Sequence, residues 1–594
     1  MESGAVRASA VNDGTHPVPP SPHAVSVDAA DVAGRPTDGA AGLTGNWPLP
    51  ATVLDHLRLE TAGATLAYYA GLALVTSTLF ISKLLPCVDY PQHLALADVA
   101  RRLEDPNAPE HATHILNYFT YNGLFHFLVA KLSYVMPIEV AGRIVVASSL
   151  AILGVAMVAL LRVLRRPPSY AALFTPIVFS FSVVWGFANY ALATAVAVVT
   201  LVAIARTLIR PTIVHVVVVA ALGLLCAFAH VLAMLLLCVM AISIAPELSW
   251  RASARSGDEG RMRHAGRALL RIVIALGPLL VGCFFCVKVY REQFPWDPNM
   301  YRDAVLEGTM PPIWQKILIF CAFATDLHSD HTDFVVLTAS IVVVIAAAIV
   351  ARTQRRAGIA SPPNEAPPLI LPLVLLTATY LATPMVLVGT HLIFPRLAQA
   401  VMIGAVLAAP SVAGKVGERI RRYGLAIGLL CGVNLVVHTI CFAFETNDAS
   451  AVIDDLPPGR AATAVIWEPE TFAYRPGTLT HLAAYYGARK HGRWAFSFAR
   501  YLSVPVRFRP GTQPAWPARG WEFRASDYDP RCKYARAFDL VIVKASPDLP
   551  TTDRGEERVR HSVFGQDENA VKLLSHHGHY WAFDTAGLPT DGVL

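Results

Sequence analysis

Charged side chains are scarce in this sequence. They make up 15% of its 594 residues, whereas a soluble domain carries roughly 25%. Hydrophobic residues account for 54%, which excludes a single soluble domain. The formal net charge is only +6, and its Lys and Arg residues cluster beside apolar segments, where they set membrane orientation. We therefore expect a lipid bilayer as partner and no nucleic acid.

Cysteine is also scarce, and so are the usual catalytic motifs. Most of the nine cysteines lie in apolar runs without metal-type spacing, so we predict neither a disulfide framework nor a zinc site. The C-terminal 150 residues contain no Gly-Xaa-Ser-Xaa-Gly motif and no phosphate loop. Ser497, Asp539 and His481 are scattered there, and the region shows no catalytic signature.

Long apolar runs rich in Ala, Val and Leu dominate the sequence between residues 61 and 444. They lack the alternation of a membrane β-barrel and match the length of about 20 residues that a helix needs to cross a bilayer. We predict an α-helical polytopic membrane protein with eleven spans. These are 63–85, 140–161, 170–187, 189–208, 212–228, 230–246, 268–290, 333–351, 368–388, 395–413 and 423–444.

Clusters of Arg and Lys predict the orientation of these spans. The richest linkers are 162–166, 206–210, 251–271, 352–356 and 415–422. If all are cytoplasmic, an even number of crossings separates each pair. The segment from Leu116 to Met136 then cannot cross, and its mixture of aromatic and polar residues is typical of an interfacial helix. The first outer loop, 86–139, is thus predicted to carry two interfacial helices, His93–Leu103 and Leu116–Met136.

Both ends of the chain differ in composition from the membrane part. Residues 1–60 predict a disordered cytoplasmic tail, and because the first apolar run begins near Gly63, that helix is expected to remain in the mature protein. Residues 445–594 predict a soluble extracytoplasmic α/β domain. Its expected strands are Ala461–Trp467 and Phe538–Val543, and its expected helices are Leu479–Lys490 and Asn569–His577.

The first outer loop begins with Pro86-Cys87-Val88-Asp89-Tyr90-Pro91-Gln92-His93-Leu94. Asp89 and His93 are four residues apart and share one helical face, and Pro91 suits the first turn of that helix. Asp89 is a candidate general base or metal ligand at the membrane surface. The alternative is that these residues only end a span.

Four cationic side chains are further candidates. Arg396 begins a span on the predicted outer side, where its planar guanidinium suits a lipid phosphate; Arg143 is similar. His391 lies in the short outer loop before Arg396. His230 interrupts an apolar stretch, where ionisable residues are costly and favour a function, although it would also suit a tight turn near Phe228-Ala229-His230. For both arginines the alternative is a side chain that reaches the lipid headgroups.

A polar outer segment offers a second candidate metal site. Asp326, His328, Asp330, His331 and Asp333 supply oxygen and nitrogen ligands, but without a recognised spacing. The alternative is an ordinary exposed loop.

In layout the chain resembles the GT-C-type, polyprenyl-phosphate-dependent integral membrane glycosyltransferases, the broad family of protein mannosyltransferases, aminoarabinose transferases and oligosaccharyltransferases. The resemblance rests on an acid just beyond the first span (Asp89), two interfacial helices, a span that begins Ala-Gly-Arg and ends in Arg165-Arg166, many irregular spans and an outer C-terminal domain. It covers residues 60–445 in organisation.

The resemblance implies that Asp89 is the catalytic base, or helps to hold a divalent metal, and that the donor is a sugar on a polyprenyl phosphate. We expect a bacterial cytoplasmic-membrane enzyme whose acceptor is a glycan, lipid or protein. The substrate-binding residues we expect are His93, Tyr90, Arg396, His391, His230, Arg143 and Asn122. The alternatives are a flippase or transporter of a lipid-linked saccharide, or a non-catalytic membrane-anchored assembly protein.

Overall fold

A computed structural model describes residues 57–120, 122–253, 261–293, 310–359, 362, 365–386, 391–501, 503–514, 520–546 and 553–588. Apart from its last four residues, the predicted tail 1–60 lies outside the described residues. Most of the predicted outer loop between Arg291 and Trp314 also lies outside them.

Helices make up most of the described chain before the C-terminal domain. In chain order they are α1 Ala62–Ser77, α2 Tyr90–Arg102, α3 Gly123–Leu132, α4 Ile138–Val163, α5 Thr175–Val178, α6 Phe181–Val184, α7 Ala188–Ile209, α8 Ile213–Ala229, α9 Val231–Ser253, α10 Arg261–Leu276, α11 Leu279–Gln293, α12 Ile313–Leu318, α13 Phe320–Ala324, α14 Thr332–Arg356, α15 Ile370–Ala382, α16 Ile393–Ala408 and α17 Gly414–Asp455.

Each of the eleven predicted spans coincides with apolar helix. Among the described residues, six helices are long and apolar enough to cross a membrane, and the pair α10 and α11, bent by 45°, gives a seventh if it forms one span. Three of the other four predicted spans are apolar helices of 13–17 residues, α8, α15 and α16, and the fourth, 170–187, is divided among shorter helices. At 1.5 Å per residue these are shorter than a hydrocarbon core of about 30 Å, so their crossing stays a prediction.

The predicted span 170–187 is not one continuous helix. A 3₁₀ helix at Pro168–Phe174 is followed by the four-residue helices α5 and α6. Pro168 and Pro176 cannot donate backbone hydrogen bonds, and Gly186 has a φ of +87°. This agrees with the expectation of irregular spans, and the carbonyls of Val184 and Trp185 accept the backbone N–H groups of Val88 and Asp89 in the first outer loop.

The first outer loop is only partly as predicted. The helix expected at His93–Leu103 is confirmed as α2, which begins at Tyr90. The helix expected at Leu116–Met136 covers only Gly123–Leu132, because His114–Leu116 forms a strand, β1, instead. With ten residues, α3 is too short to cross a bilayer, which agrees with an interfacial position.

The C-terminal domain is α/β, as predicted. Its remaining elements are β2 Ala461–Ile466, α18 Leu482–Lys490, β3 Arg493–Trp494, β4 Val506–Phe508, β5 Leu540–Lys544, α19 Asp553–Phe564, β6 Lys572–His577 and β7 Tyr580–Asp584. Five strands form one sheet in the order β3-β2-β5-β7-β6, with β3, β2 and β5 parallel and β7 antiparallel to β5 and β6. The sheet packs on a core that contains Trp521, Trp581 and Phe583.

One predicted element of this domain was wrong. Asn569–His577 was expected to be an amphipathic helix, but Lys572–His577 is strand β6. It forms a hairpin with β7, in which His577 pairs with Tyr580 across Gly578 and His579. Gly578 has a φ of +53°, which a two-residue hairpin turn requires at its first position. The turn chemistry and the pairing with β7, which is itself paired with β5, override the short apolar period.

Helix α17 and a pair of strands are among the connections that join the C-terminal domain to the membrane part. Helix α17 has 42 residues, about 63 Å at the usual helical rise, and so extends past the change in composition at Glu445. Strand β1 of the first outer loop pairs with β4 of the domain, with Ile115 opposite Arg507. The first outer loop is thus held between the membrane helices and the C-terminal domain.

Candidate active site

Asp89 lies at the junction between the end of the first span and α2. It is the residue before the helix, but its side chain makes no capping bond there and can turn elsewhere. Its backbone N–H donates to the carbonyl of Trp185 over 2.9 Å. Gly186 approaches so closely that a Cβ there would lie 2.4 Å from the backbone nitrogen of Asp89. The broken segment therefore fixes the backbone beneath Asp89.

The carboxylate of Asp89 is bonded to a histidine of the C-terminal domain. His481 Nε2 lies 3.2 Å from Asp89 Oδ1, and the other ring nitrogen, Nδ1, is hydrogen-bonded to Glu522 Oε1. The side chains of His481 and Glu522 are only 4% and 7% exposed, whereas that of Asp89 is 15% exposed. The three residues form a chain of hydrogen bonds with Asp89 at its accessible end.

The negative charges of Asp89 and Glu522 favour the protonated form of His481. Burial by itself would lower the pKa of His481, but the carboxylates of Glu522 and Asp89 outweigh burial and raise it to about 10. Burial raises the pKa of Glu522 to about 7, although His481 opposes that rise. Carboxylates accept hydrogen bonds, so an imidazolium with two N–H groups satisfies both neighbours. His481 is therefore a fixed cation behind Asp89.

Gln92, in the same helix that follows Asp89, is hydrogen-bonded to the C-terminal domain. Its Oε1 accepts from the indole N–H of Trp494 over 2.7 Å, and its Nε2 donates to the carbonyl of Phe496 over 3.1 Å. The ring of Phe498 packs edge-on against the ring of His481, with centroids 5.4 Å apart. A residue one turn after Asp89 thus holds the segment that covers His481.

His93 adds a second pair of histidines beside Asp89. His126 Nδ1 donates to the carbonyl of Asn122 over 3.0 Å, so its Nε2 accepts from His93 Nδ1 over 3.2 Å. Burial lowers the pKa of His126 to about 4 and, together with His126, lowers that of His93 well below its usual value. His93 is therefore neutral, and its Nε2 carries a free lone pair.

Arg396 and His230 bring hydrogen-bond donors to the same region. The helix break predicted near His230 is confirmed: α8 ends at Ala229, and His230 Nδ1 accepts the backbone N–H of Leu232 over 3.1 Å. A neutral ring then carries its proton on Nε2, which lies 3.3 Å from Arg396 Nη1. Two donor nitrogens thus lie side by side, and an anionic oxygen next to them would accept from both.

The guanidinium of Arg396 is held by its surroundings. Its Cζ lies 3.6 Å from the centroid of the Phe187 ring, and its Nη2 donates to the carbonyl of His391 over 3.1 Å. The residue is 8% exposed, and its Nε has no acceptor within the described ranges. A buried guanidinium with a spare donor is suited to an anion.

The structure brings most of the predicted residues together. Arg396 interacts electrostatically with Asp89, and His93 with Arg396, His230 and His481. His391 contributes its carbonyl, and Asn122 a carbonyl to His126, while the side chain of His391 is exposed. These residues come from five separate stretches of sequence.

Tyr90 and Arg143 lie apart from this cluster. Tyr90 is 2% exposed, and its hydroxyl lies against Gly142 of α4. Arg143 donates to the carbonyl of Ser82 over 2.6 Å and to that of Lys83. Arg143 therefore stabilises the backbone at the end of the first span.

Of the three polar residues noted in the C-terminal domain, only His481 joins the cluster. Asp539 Oδ2 accepts the backbone N–H of Ala461, and Ser497 Oγ accepts that of Ala499. The absence of a sequence motif in this region gave no reason to place His481 beside Asp89, and Glu522 was not among the predicted residues. Neither residue lies in a local sequence motif. Only the folded structure shows that His481 is hydrogen-bonded to Asp89 and Glu522 to His481.

Ser497 instead lines a cavity of about 290 Å³ between the first outer loop and the C-terminal domain. Trp494 and Phe496, which contact Gln92, line it as well, together with Arg102 and Arg500. The cavity therefore shares a wall with the residues that cover His481.

The residues around Asp89 do not fit a divalent metal. One of its oxygens bonds to the His481 cation, and Arg396 adds a second positive charge. In the described part of the chain, no group of three ligand-type side chains includes Asp89. A cation there would be repelled by its neighbours and would lack ligands.

The predicted polar loop divides into two groups. Asp326 is paired with Arg475 over 2.7 Å and with His331 over 2.8 Å. His328 and Asp330 lie instead beside His438 of α17.

No family model matches the sequence, and no curated protein matches it. Two solved structures are similar in fold, both of ArnT from Cupriavidus metallidurans. The one bound to undecaprenyl phosphate is 10% identical, with 89% of this chain and 99% of that chain covered and a TM-score of 0.46. The apo structure is 12% identical, with 88% and 98% covered and a TM-score of 0.46.

Proposed function

We propose that this protein transfers a sugar from a polyprenyl-phosphate-linked donor to a hydroxyl group of an acceptor at the outer face of the membrane. The supporting observation is that an accessible carboxylate, Asp89, and a buried guanidinium, Arg396, lie close enough to interact. Glycosyl transfer needs these two groups together: a base for the acceptor and a cation for the leaving phosphate.

Asp89 acts as the general base. The oxygen of the acceptor attacks the anomeric carbon while the hydroxyl proton passes to Asp89. The bond from the anomeric carbon to the phosphate oxygen breaks, and its electron pair leaves with the polyprenyl phosphate. The side-chain oxygen that accepts the proton is Oδ2, because Oδ1 is bonded to His481.

Arg396 and His230 bind the phosphate. Their nitrogens Nη1 and Nε2 lie 3.3 Å apart, so one phosphate oxygen beside them accepts from both. Negative charge grows on this oxygen as the bond to the sugar breaks, and donors already in place stabilise that charge without reorganisation. His93, whose Nε2 carries a lone pair, accepts from a hydroxyl of the bound sugar.

His481 and Glu522 are positioning residues. His481 fixes the orientation of Asp89, and Glu522 keeps His481 protonated on Nδ1. The C-terminal domain thereby supplies part of the active site rather than serving only as an anchored module.

The experiment is to reconstitute the protein in lipid nanodiscs with a panel of polyprenyl-phosphate sugars and a cell-envelope lipid and glycan extract. We expect release of polyprenyl phosphate that depends on both the protein and the extract. Movement of a labelled lipid-linked saccharide across proteoliposomes without its consumption would favour the transporter alternative and contradict the proposal.

A further inference from the structure

Three potential metal ligands meet at the start of α14 and the middle of α17. Ligand atoms of His328, Asp330 and His438 all lie within 4.8 Å of one another. His328 is fully buried and His438 is 9% exposed, whereas the side chain of Asp330 is 53% exposed. An ion would thus have two buried imidazoles below it and solvent access beside the carboxylate.

The hydrogen bond at the far side of His438 sets its tautomer. His438 Nδ1 donates to the backbone carbonyl of Asn434 over 2.9 Å, so a neutral ring has a free lone pair on Nε2. This Nε2 lies 3.1 Å from Asp330 Oδ2. Two acceptors so close together require a positive charge between them.

The hydrogen bond that the hydroxyl group of Thr332 donates determines the tautomer of His328. Thr332 Oγ1 lies 2.8 Å from Asp330 Oδ1 and 3.1 Å from the side-chain amide of Asn434. Its single proton goes to the charged carboxylate of Asp330, which leaves Asn434 Oδ1 facing a second acceptor at Thr332. The Asn434 amide is therefore turned by 180°, so that its nitrogen donates to Thr332 Oγ1. The amide oxygen of Asn434 then accepts from His328 Nδ1, at the contact of 3.1 Å.

This orientation leaves His328 Nε2 with a free lone pair. That nitrogen is buried and has no hydrogen-bond partner among the residues described. All three side chains therefore offer a lone pair, and each is held at its other atom by a hydrogen bond, as metal ligands usually are.

We propose that His328, Asp330 and His438 bind a divalent transition-metal ion, with Zn²⁺ the best match to two imidazoles and one carboxylate. The two rings stack with centroids 3.7 Å apart, and a ligand atom of each lies within 4.8 Å of a carboxylate oxygen of Asp330. The ligand set differs from the one expected from sequence because Asp326 is engaged by Arg475.

The position of the site suggests a structural role for the ion. Ser329 N–H donates to the carbonyl of Ala473 over 3.2 Å, and Arg475 N–H donates to that of Leu327 over 2.9 Å. The loop that carries His328 is therefore already paired with the C-terminal domain. An ion that links this loop to His438 would fasten α17 to the same loop.

The test uses tag-free, full-length protein in detergent, stripped with a chelator and titrated with Co²⁺, whose visible spectrum reports its coordination. We expect one equivalent to bind, with displacement by Zn²⁺. His438→Gln and Asp330→Asn should each weaken binding by more than about tenfold. The matched controls His331→Gln and Asp326→Asn, in the same loop, should bind as tightly as the wild type.

Two further measurements protect the test against misfolded variants. Zn²⁺ should raise the Tm of the wild-type protein because it binds only the folded state. X-ray absorption of the zinc-loaded wild type should show two imidazole nitrogens. Absence of stoichiometric Co²⁺ binding by the wild type, equal binding by both ligand variants, or a zinc spectrum without imidazole would overturn the proposal.

Discussion

Asp89 and His481 are 392 residues apart in the sequence, yet Nε2 of His481 lies 3.2 Å from Oδ1 of Asp89. One residue comes from the end of the first span and the other from the C-terminal domain. Their contact joins these two parts of the chain in a single hydrogen-bonded unit that ends at Glu522. Each part alone therefore holds an incomplete site.

The proposed role of Glu522 predicts a change in the pH dependence of turnover. Glu522 and Asp89 raise the pKa of His481 to about 10, so the wild-type rate should decline only as pH approaches that value. Glu522→Gln removes one of the two carboxylates and should shift this alkaline limb to lower pH by at least about one unit. The measurement is kcat/KM against pH. If the alkaline limb of kcat/KM is not shifted in Glu522→Gln, Glu522 does not have the proposed effect on His481.

His481 also predicts a pH-dependent contribution to stability. Its pKa is raised from 6.5 to about 10 in the folded state, so its contribution is complete below pH 6.5 and is lost as pH rises through about 10. The difference in Tm between the wild type and His481→Gln should thus be largest near pH 6 and smallest above pH 10. Thermal unfolding in detergent at several pH values measures it. A difference that grows with pH would contradict the cationic assignment.

Arg396 and Arg143 predict different results for the same conservative change. Arg396→Lys keeps the charge but loses the planar fork, so it should weaken binding of polyprenyl phosphate by about tenfold. Arg143→Lys should leave that affinity unchanged, because Arg143 holds backbone carbonyls away from the cluster. Native mass spectrometry or fluorescence titration with polyprenyl phosphate gives both constants. Equal losses of affinity in the two variants would contradict the prediction, because they would mean that positive charge over a wide surface binds the phosphate and that Arg396 has no special role.

The arginine-rich linkers predict the two sides of the membrane. A cysteine introduced at Gly358, just beyond α14, should react only from the cytoplasmic side, and one at Gln513 in the C-terminal domain only from the outer side. Both positions are exposed. Labelling with a membrane-impermeant maleimide in a cysteine-free background decides this. If both react from the same side, the eleven-span topology is wrong.

The apolar architecture could be predicted from sequence because hydrophobic runs report burial in lipid directly. Helix ends were harder to predict. The helix α3 is shorter than expected because the residues before it form β1, which is hydrogen-bonded to β4; the paired residues His114 and Phe508 are 394 positions apart. Strand β6 was mistaken for a helix because its hydrogen bonds come from another strand, β7, which is itself paired with β5.

The site was predictable where a residue's surroundings were unusual. Asp89, His230 and Arg396 each interrupt or end an apolar run, and polar groups there are costly enough to stand out. His481 and Glu522 lie in a domain of ordinary polarity, where a buried ion pair leaves no local pattern. Tyr90 lies beside Asp89 in sequence but points to α4, since neighbours on a helix face different directions.

The most direct measurement of the central claim is turnover of a polyprenyl-phosphate sugar by wild-type protein and by Asp89→Asn in lipid nanodiscs. Asn keeps the volume and removes the basicity, so we expect a loss of roughly 10²- to 10⁴-fold with Tm little changed. Asp105→Asn, in an exposed turn of the same loop, is the matched control and should retain full activity. Wild-type rates in Asp89→Asn would contradict the assignment of Asp89 as the base.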